Sequence, residues 1–263
     1  MKANKIKFEK FHAAGNDFII VDDRNLSFPS AQEKIARMCH RHFGIGADGL
    51  ILLQNHKDVD FEMIYYNSDG LIGSMCGNGG RCSIIFSRQL GMVTSDVTFL
   101  AYDGIHKAKV TGNDLVRISM NTVSKVEKLN EAFVLNTGSP HYVVFTDNLN
   151  FEIAPEARKI RNNETYREKG INVNFARIEN GDLFMRTYER GVESETLACG
   201  TGTVATAIAA SLYTERNELK QSWIVHALGG DLKVDFSREQ ENLFSDVWLE
   251  GIVTHVFRGE MEI

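Results

Sequence analysis

Proline is scarce in this chain, with three in 263 residues. That leaves no room for a Pro-rich linker or stalk. Cysteine is also sparse. Cys39, Cys76, Cys82 and Cys199 are too few and too scattered for a disulfide framework in a chain of this length. No run approaches the roughly 18 apolar residues of a membrane span. There is no dense Lys/Arg run, and the formal net charge is −6. This argues against nucleic acid or an anionic membrane as the main partner, though not against an anionic small molecule. The opening Met1-Lys-Ala-Asn-Lys-Ile-Lys-Phe-Glu-Lys10 is charged and lacks the apolar core of a secretory signal. The expectation is a cytoplasmic protein with reduced thiols.

Hydrophobic residues make up 43% and charged residues 24%, which is ordinary for a globular protein and argues against disorder. The 22 glycines gather in short loops, as tight turns and close backbone approaches require. Short β-like runs dominate: 6–11, 18–22, 49–54, 61–66, 97–101, 106–110 and 115–120, then 132–136, 142–145, 172–178, 183–188, 223–227, 231–236 and 246–251. Turn residues such as Ser68-Asp-Gly70, Gly112-Asn-Asp114 and Glu179-Asn-Gly-Asp182 bound them. Helical patterns cover 31–40, 79–90, 154–161 and 203–213. The second and fourth are apolar on nearly every side, as a helix enclosed by a core would be.

A divergent internal repeat links two halves. Cys76-Gly-Asn-Gly-Gly80 and Cys199-Gly-Thr-Gly-Thr203 share C-G-x-G. Each follows a strand-like run and a glycine-containing turn, and each opens a helix of the enclosed kind. The first amides of a helix have no intrahelical partner and sit at the positive end of its dipole. A carboxylate bound there gains hydrogen bonds and favourable charge. A thiol there has its pKa lowered. From an unperturbed value of about 8.5, where about 3% is thiolate at neutral pH, a fall of about one to two units makes the thiolate a substantial species.

Two such cysteines point to inversion of a stereocentre. One thiolate removes the α-proton from one face and one thiol returns a proton to the other. The helix-start amides hold the carboxylate as its negative charge grows. The scheme needs no cofactor and no metal. One such cysteine alone would read as a buried inert thiol; a matched pair favours chemistry. Cys39 and Cys82 lack this setting and read as packing residues.

The sequence resembles the diaminopimelate epimerase family along nearly its whole length. The segments that carry the resemblance are His12-Ala-Ala-Gly-Asn-Asp-Phe18, Arg41-His-Phe-Gly-Ile-Gly-Ala-Asp-Gly49, Tyr66-Asn-Ser-Asp-Gly70, Met75-Cys-Gly-Asn-Gly-Gly-Arg81, Ser139-Pro-His141, Asn172-Val-Asn-Phe175 and Glu189-Arg-Gly-Val-Glu-Ser-Glu-Thr-Leu-Ala-Cys-Gly-Thr-Gly202. The resemblance implies an α+β fold of two pseudo-symmetric domains, each a mostly antiparallel sheet wrapped around a central helix. The expected halves are 1–122, with a returning strand at 252–263, and 123–251. The implied reaction takes LL-diaminopimelate to the meso isomer in lysine and peptidoglycan precursor synthesis. Cys76 and Cys199 become the acid/base pair, with His141 and Glu189 flanking them: Glu189 to receive the substrate ammonium, His141 to help set thiol protonation. Gly77, Asn78, Gly200 and Thr201 become the carboxylate-binding helix starts. Asn16, Asn67, Asn172, Glu189 and Arg190 become substrate-binding groups, Arg190 being suited to a carboxylate by its planar fork. A homodimer is implied as well.

Four departures from the family pattern bear on specificity rather than chemistry. Ser139 stands where asparagine is frequent, Gly49 where some members carry glutamine, Ala13 where glycine is common, and Leu71-Ile72 where polar residues are usual. Other motifs carry less. Gly44-Ile-Gly-Ala-Asp-Gly49 follows a helix and precedes a strand, the reverse of a dinucleotide site. Cys39-His-Arg-His42 has no second cluster to complete a zinc site. Two alternatives differ in class or substrate. A proline or hydroxyproline racemase usually carries histidine where Asn78 stands. A non-catalytic dithiol redox sensor would use the same two sulfurs.

Overall fold

The computed structural model describes residues 5–73 and 75–262; residues 1–4, Ser74 and Ile263, which include both ends of the expected first half, lie outside them. The chain divides into two units, one reaching Ile118 and resuming at Gly251, the other Ser119–Glu250.

The first unit runs β1 (Lys5–Ala13), β2 (Asn16–Asp22), α1 (Gln32–Cys39), β3 (Gly49–Gln54), β4 (Phe61–Asn67), α2 (Gly77–Gln89), β5 (Asp96–Ala101), β6 (Gly104–Val110) and β7 (Leu115–Ser119). The second runs β8 (Val126–Leu129), β9 (Ala132–Asn136), β10 (Pro140–Phe145), α3 (Ile153–Arg161), β11 (Asn172–Glu179), β12 (Asp182–Glu189), β13 (Ser194–Thr196), α4 (Gly200–Tyr213), β14 (Lys220–Ala227) and β15 (Gly230–Gln240). A last strand, β16 (Leu243–Glu262), begins in the second unit and ends in the first.

In the first unit the strands follow one another from β1 to β7, and β16 pairs both with β1 and beside β7, so the sheet closes. Most pairs are antiparallel; β2–β3 and β4–β5 are parallel. The second unit repeats the pattern. Its order is β15-β14-β12-β11-β10-β9-β8, with β10–β11 and β12–β14 parallel. The two C-G-x-G motifs thus occupy equivalent places, after β4 and after β12 with its short partner β13.

Each sheet wraps one helix. α2 packs on β1, β2, β3, β4 and β6, and α4 on β9, β10, β11, β12, β14 and β15. Residues 78–87 of α2 are all buried, which accounts for its lack of a polar face. Gly79 permits the approach, since a Cβ there would stand 3.0 Å from Ile51 Cδ1. On the outer face of the first sheet, α1 sets Ile35 and Met38 against Ile19, Val21, Leu50 and Leu52. Strands β2 and β3 are therefore covered on both sides, which explains their continuous apolar runs.

Five elements differ from the sequence expectation. Both enclosed helices begin earlier, at Gly77 and Gly200, because glycine's low helix propensity makes a helical first turn read as loop. The short strands β8 and β13 were not anticipated. The runs at 246–251 and 252–262 form one strand, which continues through Gly251.

Candidate active site

In the first unit Cys76 is the residue immediately before α2, in extended conformation (φ −104°, ψ 120°). Its carbonyl accepts the Gly80 N–H at 2.7 Å, so the amides of Gly77, Asn78 and Gly79 open the helix without intrahelical acceptors. No acidic side chain occupies that first turn. Such a helix start favours an anion, whether a carboxylate or a thiolate.

Cys76 Sγ lies 3.5 Å from Oδ1 of Asn16. The same oxygen accepts from Nδ2 of Asn78 at 3.2 Å, and Asn78 Oδ1 accepts from Arg81 Nη2 at 2.7 Å. Asn16 is oriented from behind, because its Nδ2 donates to Asp48 Oδ2 at 2.8 Å. Arg41 bridges Asp17 and Asp48 at 2.8 and 2.7 Å, and buried Lys10 reaches Asp17 at 2.6 Å. Burial alone raises the pKa of Asp17, but hydrogen bonds from Arg41 and Lys10 outweigh it and hold this carboxyl far below the usual range. The cluster anchors β1, β2 and the loop before β3 beneath Asn16.

Asn67 ends β4, exposed, within a turn. Its N–H donates to Leu71 O and its carbonyl accepts the Gly70 N–H, both at 2.9 Å. Gly70 has φ +82° and a Cβ there would meet Gln32 O at 2.3 Å, so the turn requires glycine. Leu71 and Ile72 are exposed beyond it. Gly49 is equally constrained: a Cβ would stand 2.4 Å from the Tyr65 ring and 2.6 Å from Tyr66 O. Cys39 and Cys82 are buried, and burial pushes the Cys39 thiol up to about 12 and Cys82 further still. Neither is a thiolate near neutral pH. His40, from the motif that offered metal-ligand types, instead accepts the N–H groups of His42 and Phe43 on Nδ1, both at 3.1 Å.

The second unit presents the equivalent geometry. Cys199 immediately precedes α4, extended at φ −122°, ψ 114°, with no acidic residue in the first turn. Its carbonyl accepts the Thr203 N–H at 2.8 Å and the Thr203 hydroxyl at 2.9 Å. Cys199 Sγ lies 3.4 Å from Thr201 Oγ1, which lies 2.9 Å from His141 Nε2. His141 therefore reaches this sulfur through a hydroxyl rather than directly. Burial, and then the Arg190 charge, pushes its pKa down to about 3, so the ring is neutral at physiological pH.

Parallel pairing sets His141 opposite Asn172. Nδ2 of Asn172 donates to Ser139 Oγ at 2.9 Å and to Pro140 O at 3.1 Å, while its Oδ1 accepts the Arg190 N–H at 2.8 Å. Arg190 Nη2 also reaches Ser139 Oγ, at 3.4 Å, and Nη1 donates to Lys169 O at 3.0 Å. Ser139 thus bridges two of the anticipated substrate groups. Gly170 (φ +72°) leaves room for the Arg190 stem, which a Cβ would meet at 2.6 Å. Glu189 Oε2 accepts the Thr196 hydroxyl at 3.0 Å, on the strand that leads to Cys199.

Several contributors escaped sequence reasoning: Lys10, Asp17, Asp48 and Arg81, then Asn174, whose Nδ2 lies 3.1 Å from His141 Nδ1, and Thr187, whose hydroxyl donates to Asn174 Oδ1 at 3.0 Å. Arg81 carried a signal, being the one charge within the buried stretch 78–87 of α2. Asn174 carried another, standing two residues after Asn172 and so on the same strand face.

The family model for diaminopimelate epimerase matches residues 8–126 and 133–254. A diaminopimelate epimerase of Flavobacterium psychrophilum is 44% identical over 255 residues, covering 96% of this chain and 98% of that protein. One of Chlorobaculum tepidum is 40% identical over 262 residues, covering 95% and 99%. Among solved structures, a phenazine biosynthesis protein of the PhzF family from Bacillus anthracis superposes with TM-score 0.75 at 16% identity, covering 99% of this chain and all of that one. A hydroxyproline epimerase from Agrobacterium vitis superposes with TM-score 0.67 at 14% identity, covering 99% and 92%. At such identities these two speak for the fold alone.

Proposed function

This chain belongs to the diaminopimelate epimerase family, and from that premise we infer that it epimerises LL-diaminopimelate to the meso isomer, supplying lysine and peptidoglycan precursor synthesis. The observation that carries the reading is the equivalent setting of Cys76 and Cys199, each the residue before an enclosed helix whose first turn is free of acidic side chains.

In the inferred reaction Cys76 and Cys199 are the acid/base pair. One thiolate takes the α-proton while the other cysteine, as thiol, delivers a proton to the opposite face. Amides at Gly77, Asn78, Gly200 and Thr201 bind the reacting carboxylate and stabilise the charge that accumulates on it as the proton leaves. Asn16, Asn67, Asn172 and Arg190 bind and orient the substrate, Arg190 by a fork suited to the distal carboxylate. Glu189 receives the substrate ammonium. His141, held neutral, supports the thiol through Thr201. The chemistry uses no pyridoxal phosphate and no metal, because both proton transfers belong to side chains. A cytoplasmic homodimer is part of the same reading, as are halves of 1–122 with 252–263, and 123–251.

The test is turnover of LL-diaminopimelate in deuterated water. Early product molecules are expected to carry one deuterium, at the inverted carbon. Either cysteine changed to alanine should lower the rate by at least about 10²–10⁴-fold. Proline exchange in place of diaminopimelate exchange, or substantial turnover by either alanine variant, would overturn the reading.

A further inference from the structure

We propose that Asn174, acting through the ring of His141, sets the direction of a hydrogen-bond chain that ends on Cys199, and is thus a positioning residue for that sulfur. The catalytic meaning of this inference rests on Cys199 serving as an acid/base group, as inferred above.

The direction of the chain follows from one fixed acceptor. Asn174 Nδ2 lies 3.4 Å from the Tyr142 carbonyl oxygen, which can only accept, and Asn174 Oδ1 accepts the Thr187 hydroxyl at 3.0 Å. The amide is therefore oriented, with its N–H groups toward Tyr142 and His141. His141 Nδ1 stands 3.1 Å from that Nδ2 and must present its lone pair. A neutral imidazole carries one proton, so it resides on Nε2.

Nε2–H then donates to Thr201 Oγ1 at 2.9 Å. This uses the oxygen as an acceptor and leaves the hydroxyl hydrogen for Cys199 Sγ, 3.4 Å away. Asn172 Nδ2 approaches Nε2 at 3.5 Å, but its two N–H groups are committed to Ser139 and Pro140 at 2.9 and 3.1 Å. With the opposite tautomer, Thr201 would donate to Nε2 and Cys199 would have to donate its own S–H to Thr201. Asn174 thereby makes Cys199 an acceptor, and a hydrogen bond donated to sulfur favours the thiolate. Arg190 is the charge that acts on the ring, and it disfavours the imidazolium that would make both ring nitrogens donors.

The second glycine of the C-G-T-G motif has its reason here. A Cβ at Gly202 would stand 2.6 Å from Asn174 Oδ1 and 3.3 Å from His141 Cε1. Only glycine lets this pair lie beneath the first turn of α4.

The experiment is long-range ¹H–¹⁵N NMR of the histidine-labelled full chain, with His141 identified by the signals lost in His141→Gln. It is paired with iodoacetamide alkylation of Cys199, read by peptide mass against Cys76 in the same sample. The wild type is expected to show protonated Nε2 and bare Nδ1. In Asn174→Asp the carboxylate accepts from Nδ1, so the proton moves there, and alkylation of Cys199 falls by about tenfold relative to Cys76, the scale of one hydrogen bond. A wild-type ring protonated on Nδ1 overturns the proposal, even if the variant does not fold. So does a folded variant whose tautomer moves while Cys199 reactivity stays unchanged. Neither readout needs turnover, so a wild type that keeps this tautomer but fails to epimerise diaminopimelate would refute the functional reading and leave the positioning role standing.

Discussion

Arg81 donates to Oδ1 of Asn78 at 2.7 Å from within the same helix, and its guanidinium is fully buried with Nε and Nη1 lacking partners among the described residues. The bond directs Asn78 Nδ2 at Asn16 Oδ1, the oxygen that also faces Cys76. Changing Arg81 to methionine should let that amide turn and should lower kcat/KM by about tenfold or more, about 1.4 kcal/mol. Thermal stability should change little, since removing a buried charge with unmet donors offsets the lost hydrogen bond. Wild-type turnover in a folded Arg81→Met protein would separate this guanidinium from the chemistry.

Acid should destabilise the protein through His141. Its pKa is 6.5 in the unfolded chain and about 3 when folded. Between those values the unfolded state holds a proton that the folded state refuses, so stability falls as pH falls through that window. Asp17, whose folded pKa is depressed, adds a further loss only below its unfolded value of 3.8. Melting temperatures measured from neutral pH down to about 4 should therefore decline, and His141→Gln should flatten the decline. An unchanged slope in that variant would show that other groups carry the effect.

Gly49 is held to glycine for a local reason. The Tyr65 ring and the Tyr66 carbonyl fill the space a side chain would need, at 2.4 and 2.6 Å. Gly49→Gln should cost about 1–3 kcal/mol, the scale of an overpacked core, seen as a lower urea midpoint. A variant as stable as wild type would mean that Tyr65 can move aside.

Ser139 should act on binding rather than on chemistry. Its hydroxyl accepts from Asn172 at 2.9 Å and from Arg190 at 3.4 Å. Ser139→Ala is expected to raise KM about 2- to 10-fold, the scale of one hydrogen bond, while nearly keeping kcat. A fall in kcat with KM unchanged would assign the hydroxyl to the transition state instead.

Much of the architecture was legible from local pattern. The enclosed helices betrayed themselves by having no polar face, and the doubled C-G-x-G located both cysteines at helix starts. The exact first turns were less legible, because Gly77 and Gly200 weaken the helical signal at the point where tertiary packing decides the outcome. Strand β13 spans only Ser194–Thr196 and is held by its pairing with β12, a contact that no local pattern reveals.

By itself the sequence determined which residue types are available for the chemistry: two thiols at glycine-rich helix starts, with asparagine, arginine and glutamate around them. Only the tertiary structure decided what each group faces within its own unit. Asn16 points its oxygen at Cys76 because Asp48 takes its amide, and His141 is a neutral donor because burial and Asn174 leave it one proton, on one nitrogen. Hydrogen-bond direction and charge state depend on what surrounds a group in space, and residues distant along the chain supply those surroundings.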